Sequence, residues 1–167
     1  NANATHLSWF SIFYSQLPFH WNSELLRQKA MGSPFLQTLK ASGYRIQVYA
    51  SSRLGYYGME ESLFGRNRAL IDKIVTEDSV GVPTYLKDQS VVNCLIEDMQ
   101  QNKGGRVFIT FLDSTHIDYS WPFEKKSAFE PVDQTLNYLK ALSNDKKYLE
   151  KIKNRYRNAL HFVDSLF

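Results

Sequence analysis

The sequence holds one cysteine, Cys94, which excludes an internal disulfide framework and any zinc site built on thiolates. That scarcity leaves the compartment open, because an extracytoplasmic protein can lack disulfides. Charge of one sign is also scarce: 20 Lys and Arg stand against 17 Asp and Glu, a net +3, and no run of five or six basic residues occurs. Nucleic acid is therefore excluded as an expected partner. The longest mainly apolar stretch, Val107–Leu112, is six residues with Thr110 inside it, far short of the ~20 residues that span a bilayer. The start lacks the basic region and long apolar run of a signal peptide. There is no internal repeat and no low-complexity tract. The four histidines are scattered without a tight His/Asp cluster, so a self-contained metal site is not expected.

What is present is a globular composition, 43% apolar and 22% charged, in 167 residues, with 11 Phe, 10 Tyr and 3 Trp. That length fits one domain able to bury about 70% of its unfolded surface. Residues 7–15 read as a short buried helix with Thr5 able to cap it, a strand being the alternative because Phe and Tyr favour strands. A helix over 22–30 capped by Asn22 or Ser23 follows. Ser33-Pro34 starts a clearer one with Phe35, Leu36 and Leu39 on one face and Gly43 just past its end. Alternation over Tyr44–Ala50 predicts a strand with one face buried. Residues 51–65 read as loop, and 66–87 as mixed. Val91, Val92, Leu95, Ile96 and Met99 predict a helix over 88–102, with Cys94 in the core. The unbroken Val107–Leu112 run predicts a strand buried on both faces of a parallel sheet. Residues 117–145 read as loop with a short helix near 132–142. Tyr148, Ile152, Tyr156, Leu160 and Val163 predict a long closing helix. The order helix, strand, helix, strand, helix implies α/β, a partial parallel sheet flanked by helices.

In an open α/β sheet, ligands sit at the carboxyl ends of the strands. Two stretches emerge there: Ser51-Ser52-Arg53 and Asp113-Ser114-Thr115-His116-Ile117-Asp118-Tyr119. The second gathers two carboxylates, hydroxyls, an imidazole and a phenol. His116 can ligate a metal, act as acid or base, or donate to an oxyanion; a plain hydrogen-bonded loop is the alternative. Asn3-Ala4-Thr5-His6 is the other candidate, with a threonine oxygen where a helix dipole favours oxyanions; an ordinary helix cap is the alternative. Tyr56, Tyr57 and Trp121 either line a ligand surface or pack structurally. His20 and His161 sit among apolar residues and read as structural.

Four segments, in this order, resemble the sulfatase-like branch of the alkaline phosphatase superfamily, nearest to bacterial inner-membrane sulfatase-like proteins. Asn3-Ala4-Thr5 running into Trp9-Phe10-Ser11-Ile12-Phe13-Tyr14 and Leu17-Pro18 is similar to the nucleophile segment, an Asn-x-Thr leading into "F-S-L-F-Y-G-L-P". Leu39-Lys40-Ala41-Ser42-Gly43-Tyr44 is similar to the "L-x-x-x-G-Y" lead into a strand. Phe111-Leu112-Asp113-Ser114-Thr115-His116 through Tyr119 and Pro122 is similar to "F-L-D-S-x-H-x-x-Y-x-x-P". Tyr156-Arg157-Asn158-Ala159 through Asp164 is similar to the "Y-x-N-A-x-x-Y-x-D" helix.

The resemblance implies a hydrolase or transferase for sulfate or phosphate esters that uses a divalent metal. Thr5 falls at the nucleophile and metal-ligand position, and His116 at the histidine facing the transferred group and leaving oxygen. Threonine rather than cysteine at position 5 excludes the formylglycine route of true sulfatases and suits phosphoryl transfer better. The family's first metal-binding Asp would precede this start, and its Asp-His-Gly-Glu motif would follow Phe167. His6 stands near where the family carries an arginine, and Ser15-Gln16 replaces its glycine. Residue 1 is Asn rather than Met, and helix-period residues run to Phe167 without a stop signal. The expectation is therefore one truncated domain over 1–167, inactive and binding no metal by itself. Its parent would be anchored on the periplasmic side of a bacterial inner membrane and act on an ester substrate or lipid. The alternative is a non-catalytic regulator that binds lipid or a protein partner. An exposed sheet edge is an expected route to oligomers.

Overall fold

The computed structural model describes residues 4–22, 31–101, 104–124, 126–143 and 145–167. The helix expected over 22–30 lies almost wholly outside the described residues; Asn22 ends a short 3₁₀ turn, Pro18–Asn22. The elements are α1 (Thr5–Tyr14), α2 (Pro34–Ala41), β1 (Arg45–Ala50), α3 (Met59–Phe64), β2 (Lys73–Thr76), α4 (Thr84–Gln101), β3 (Arg106–Phe111), α5 (Tyr138–Leu142) and α6 (Lys146–Asp164). The three strands form one parallel sheet in the order β2-β1-β3. The fold is thus α/β, with one strand more than the sequence predicts: β2 lies in the stretch read as mixed.

Two layers of helix cover the sheet. On one face Ile46, Val48 and Ala50 of β1 and Ile109 of β3 pack against Phe10 and Phe13 of α1, Leu36 of α2, and Met59, Leu63 and Phe64 of α3. On the other, Tyr49 packs with Val91 and Leu95 of α4. This corrects the expectation for β1. Every residue from Ile46 to Ala50 is buried, because the central strand has helices on both sides. Its alternation reflects polar side chains that find partners inside, as Tyr49 Oη does on Gln47 and on Asp98 of α4. The expectation for β3 is corrected in the opposite sense. Its apolar run lies at the sheet edge, and only Ile109 is fully buried. The stretch 51–65, read as loop, contains α3, whose Met59, Ser62, Leu63 and Phe64 are buried. On α2 and α4, Phe35 and Met99 face outward, and Cys94 is half-buried.

Helix α2 starts as its sequence dictates. Ser33 Oγ accepts from Leu36 N–H at 3.3 Å and donates to the Phe13 carbonyl at 2.7 Å, tying α2 to α1. Helix α1 does not. Its N-cap is Ala4, with no side-chain cap, and Thr5 is the first helical residue.

Helix α6 departs furthest from expectation. Tyr156 and Leu160 are exposed, and beyond Tyr148 the buried residues are Asn154, Arg155, Asn158 and Ala159. The helix covers irregular backbone, so its inward face must donate and accept hydrogen bonds. Asn158 donates to the Phe129 carbonyl and accepts from the Phe129 N–H, both at 2.9 Å, and Asn154 donates to the Pro131 carbonyl at 3.1 Å.

Glycine is required at position 32. Its φ is +74°, and an added Cβ would lie 2.6 Å from Gly65 N and 2.8 Å from the Leu63 carbonyl. Gly32→Ala is expected to lower unfolding free energy by about 2–4 kcal/mol, since left-handed strain and overpacking combine. Gly43, with φ +84° but open space around it, should cost only ~1 kcal/mol when changed to Ala. Urea denaturation of the two variants checks the contrast.

Candidate active site

The carboxyl ends of β1 and β3 open into a cleft of about 710 Å³ lined by Thr5, His6, Trp9, Ser52, Tyr56, Tyr57, Phe111, Asp113 and His116, among others. The chain thus brings together the two segments singled out in the sequence, which lie more than 100 residues apart in it. Thr5 and His116 are both exposed, and Asp113 is half-buried. Ser52 joins them, whereas Arg53 pairs with Asp78 at 2.6 Å and is not among the lining residues. Asn3 lies outside the described residues.

Each element has a reason to be where it is. The N–H groups of Thr5, His6 and Leu7 have no intrahelical acceptor, and among the described residues no side chain caps them. The α1 N-terminus therefore presents the positive end of its dipole at the cleft. Thr5 Oγ1 forms no hydrogen bond among the described residues. His6 packs against Trp21 and Tyr57, with ring centroids 5.1 and 4.4 Å apart. Tyr57 reaches the rim from a left-handed backbone conformation, φ 53°, of the kind that concentrates at ligand sites.

The 113–120 loop is held at its base. Asp88, fully buried on α4, accepts from the Asp113 N–H at 3.0 Å and the Ser114 N–H at 2.9 Å. Ser51 Oγ also accepts from the Asp113 N–H, at 3.1 Å. Two successive turns follow, His116 N–H to the Asp113 carbonyl at 2.9 Å and Tyr119 N–H to the His116 carbonyl at 2.8 Å, and Ser120 N–H closes on the Ser114 carbonyl at 2.8 Å. His116 stands at the middle of this closed loop. Sequence reasoning missed Asp88. Its signal was a carboxylate in register with Val91, Val92 and Leu95 on a face otherwise apolar. Trp121 is buried and does not line the cleft, while Tyr56 and Tyr57 do. His20 and His161 are exposed, though each touches a phenylalanine ring.

Among the described residues no group of three or more His, Cys, Asp or Glu stands close enough to hold a metal ion. The neutral hydroxyl of Thr5 with one carboxylate among the described lining residues is a poor donor set for a divalent cation. These residues do not fit a metal by themselves.

The sequence matches no protein-family model and no curated protein. Two solved structures share its fold. The lipoteichoic acid synthase LtaP from Listeria monocytogenes superposes with a TM-score of 0.59 at 18% identity, over 99% of this chain and 38% of that one. A protein in the alkaline phosphatase superfamily from Vibrio parahaemolyticus gives 0.55 at 16% identity, over 84% of this chain and 32% of that one. The fold resembles part of an alkaline-phosphatase-like domain. The chain spans about a third of the length of either protein.

Burial raises the Asp113 pKa, with the His116 charge opposing and the Asp88 charge adding to the rise. A native carboxyl that keeps its proton to higher pH than in the unfolded chain means the native state binds more protons in that interval. Stability attributable to Asp113 therefore falls as pH rises through it. Asp113→Asn is expected to remove that slope and to raise the melting temperature at neutral pH, as read from melts between about pH 4 and pH 7. Asp88→Ala should cost about 1–3 kcal/mol by leaving the buried Ser114 N–H unpaired and the Asp113 N–H with Ser51 Oγ alone, and Asp88→Asn, which keeps one acceptor, should cost less. Denaturant titration measures both.

Proposed function

We propose that this chain is part of the catalytic domain of a sulfatase-like hydrolase or transferase acting on sulfate or phosphate esters. Thr5 serves as nucleophile, and His116 faces the transferred group and the leaving oxygen. The observation that carries this reading is the meeting of Thr5, at an uncapped helix N-terminus, with His116 and Asp113 in one cleft at the carboxyl ends of parallel strands. The likeness of the fold to part of an alkaline-phosphatase-like domain supports it.

The chemistry balances with these groups. An ester phosphoryl or sulfuryl group sits against the first-turn N–H groups of α1, which favour its oxygens. Thr5 Oγ1 attacks, forming a new bond to phosphorus or sulfur as the bond to the ester oxygen breaks. The hydroxyl proton passes to Asp113, the one carboxylate among the described lining residues, and burial makes it a stronger base. His116 gives a proton to the departing oxygen. Transfer of the group from Thr5 to water or to a second hydroxyl completes turnover. A divalent metal held by ligands elsewhere in an intact parent would supply Lewis-acid charge. No helix of the described residues is long and apolar enough to cross a membrane. The likeness to a lipoteichoic acid synthase supports an extracytoplasmic, membrane-anchored parent, with an ester or lipid as substrate.

The test is a titration of the chain with inorganic phosphate and inorganic sulfate, followed by amide and histidine NMR. Weak, millimolar binding is expected, with shifts concentrated at Thr5, His6, Asp113 and His116 and abolished in Thr5→Ala and His116→Ala. An unresponsive cleft, or a response indifferent to both substitutions, overturns the reading. The chain alone is expected to leave 4-nitrophenyl phosphate and 4-nitrophenyl sulfate intact.

A further inference from the structure

The exit half of the His116 loop is built on an unusual backbone. Asp118 and Tyr119 are consecutive non-glycine residues with positive φ, 86° and 45°, a conformation that persists only where the surroundings enforce it. The enforcing group comes from α6. The Arg155 side chain, with the residue 5% exposed, donates from Nη2 to the Asp118 carbonyl and, at 3.5 Å, to the Tyr119 carbonyl, and from Nη1 to the Asp133 carbonyl at 2.7 Å. Its guanidinium carbon lies 5.2 Å from the Trp121 ring centroid and 5.1 Å from that of Phe123. The Nε atom is buried without a partner among the described residues, where the hydrogen bonds of this cation all go to loop carbonyls. Tyr138 Oη adds a bond to the Asp118 carboxylate at 2.6 Å.

We propose that Arg155 is a positioning residue for His116, gripping the two left-handed carbonyls so that the imidazole is held at the cleft. The inference rests on the reading of His116 as a working group of the site. A planar fork with several donors is suited to this grip, since two carbonyls on one side and a third on the other must be met at once while the flat face lies against aromatic rings. Lysine offers a single point of charge and cannot reproduce it.

The test compares the unaltered chain with Arg155→Lys, with the double variant Arg155→Lys/Asp118→Gly, and with Lys153→Arg, a change on the exposed face of α6. The readouts are the His116 side-chain NMR signals, its titration curve and the response to inorganic phosphate. In Arg155→Lys the core signals of Val91 and Val92 are expected to stay put. The His116 ring signals should shift and broaden, and phosphate affinity should fall on the order of tenfold, as for other supporting residues behind a site. Glycine at 118 adopts positive φ freely, so the double variant should recover the His116 signals, which a purely structural arginine would not allow. Lys153→Arg should change nothing. Slow rotation of the Arg155 guanidinium in the unaltered chain, measured by NMR, tests the grip even if the variant fails to fold. Free rotation, or unaltered His116 signals in a folded Arg155→Lys, overturns the proposal. Should the unaltered chain ignore phosphate, the proposed function fails while the His116 signals still decide the role of Arg155.

Discussion

Backbone taken out of water has to be paired, and the irregular stretch that follows β3 is where this demand is heaviest. Helices and strands satisfy their own N–H and C=O groups; a loop folded against the body of a protein cannot. Here the partners come from side chains on two helices. Asp88 of α4 receives the Asp113 and Ser114 N–H groups, and Asn154, Arg155 and Asn158 of α6 meet carbonyls from Asp118 to Asp133. Once these bonds are made, the loop has little freedom left, and His116 at its middle inherits that fixity.

The sheet supplies the other half of the arrangement. β1 is a central strand buried on both faces, and just past its end Ser52 lines the cleft while Ser51 is buried beneath it. Ser51 Oγ accepts from the Asp113 N–H at 3.1 Å, so the loop after β3 is referenced to the strand beside it. Helix α1 is anchored independently, through Phe10 and Phe13 in the core and the Ser33 bond to the Phe13 carbonyl. The cleft is therefore where the start of a helix meets the ends of strands.

The parts of this that could be read in the sequence are those governed by local rules. Ser33-Pro34 marks a helix start because capping and proline φ act within one turn, and Val107–Leu112 marks a strand because β-branched and aromatic residues favour the pleat. The cleft residues Thr5 and His116 were legible through motif resemblance. What escaped was whatever depended on the neighbour. Gln47 and Tyr49 look outward-facing until a helix lies over them, and Met59–Phe64 reads as loop among its glycines until the core is there to bury it. On α6 the apolar period pointed one way and burial went the other. An asparagine or arginine stripe has no value against a sheet, but it is the right surface against unpaired carbonyls. Asp88 escaped for the same reason: a lone carboxylate on an apolar stripe looks like an error until two N–H groups arrive.

The position of Thr5 in α1 bears on its chemistry. A threonine at the N-cap would spend its oxygen accepting an N–H from the next turn. That oxygen would then be tied to the helix, and the first-turn donors would be partly satisfied. With Ala4 at the cap and Thr5 one residue further in, neither happens. Among the described residues the hydroxyl makes no hydrogen bond and the first-turn N–H groups have no side-chain cap. An alanine cap costs α1 about 1 kcal/mol relative to a good one, a loss that the buried Phe10 and Phe13 easily offset. A helix meant only to pack would have no reason to forgo the cap. One meant to meet an oxyanion has to, because the incoming oxygens need the same N–H groups that a capping side chain would occupy.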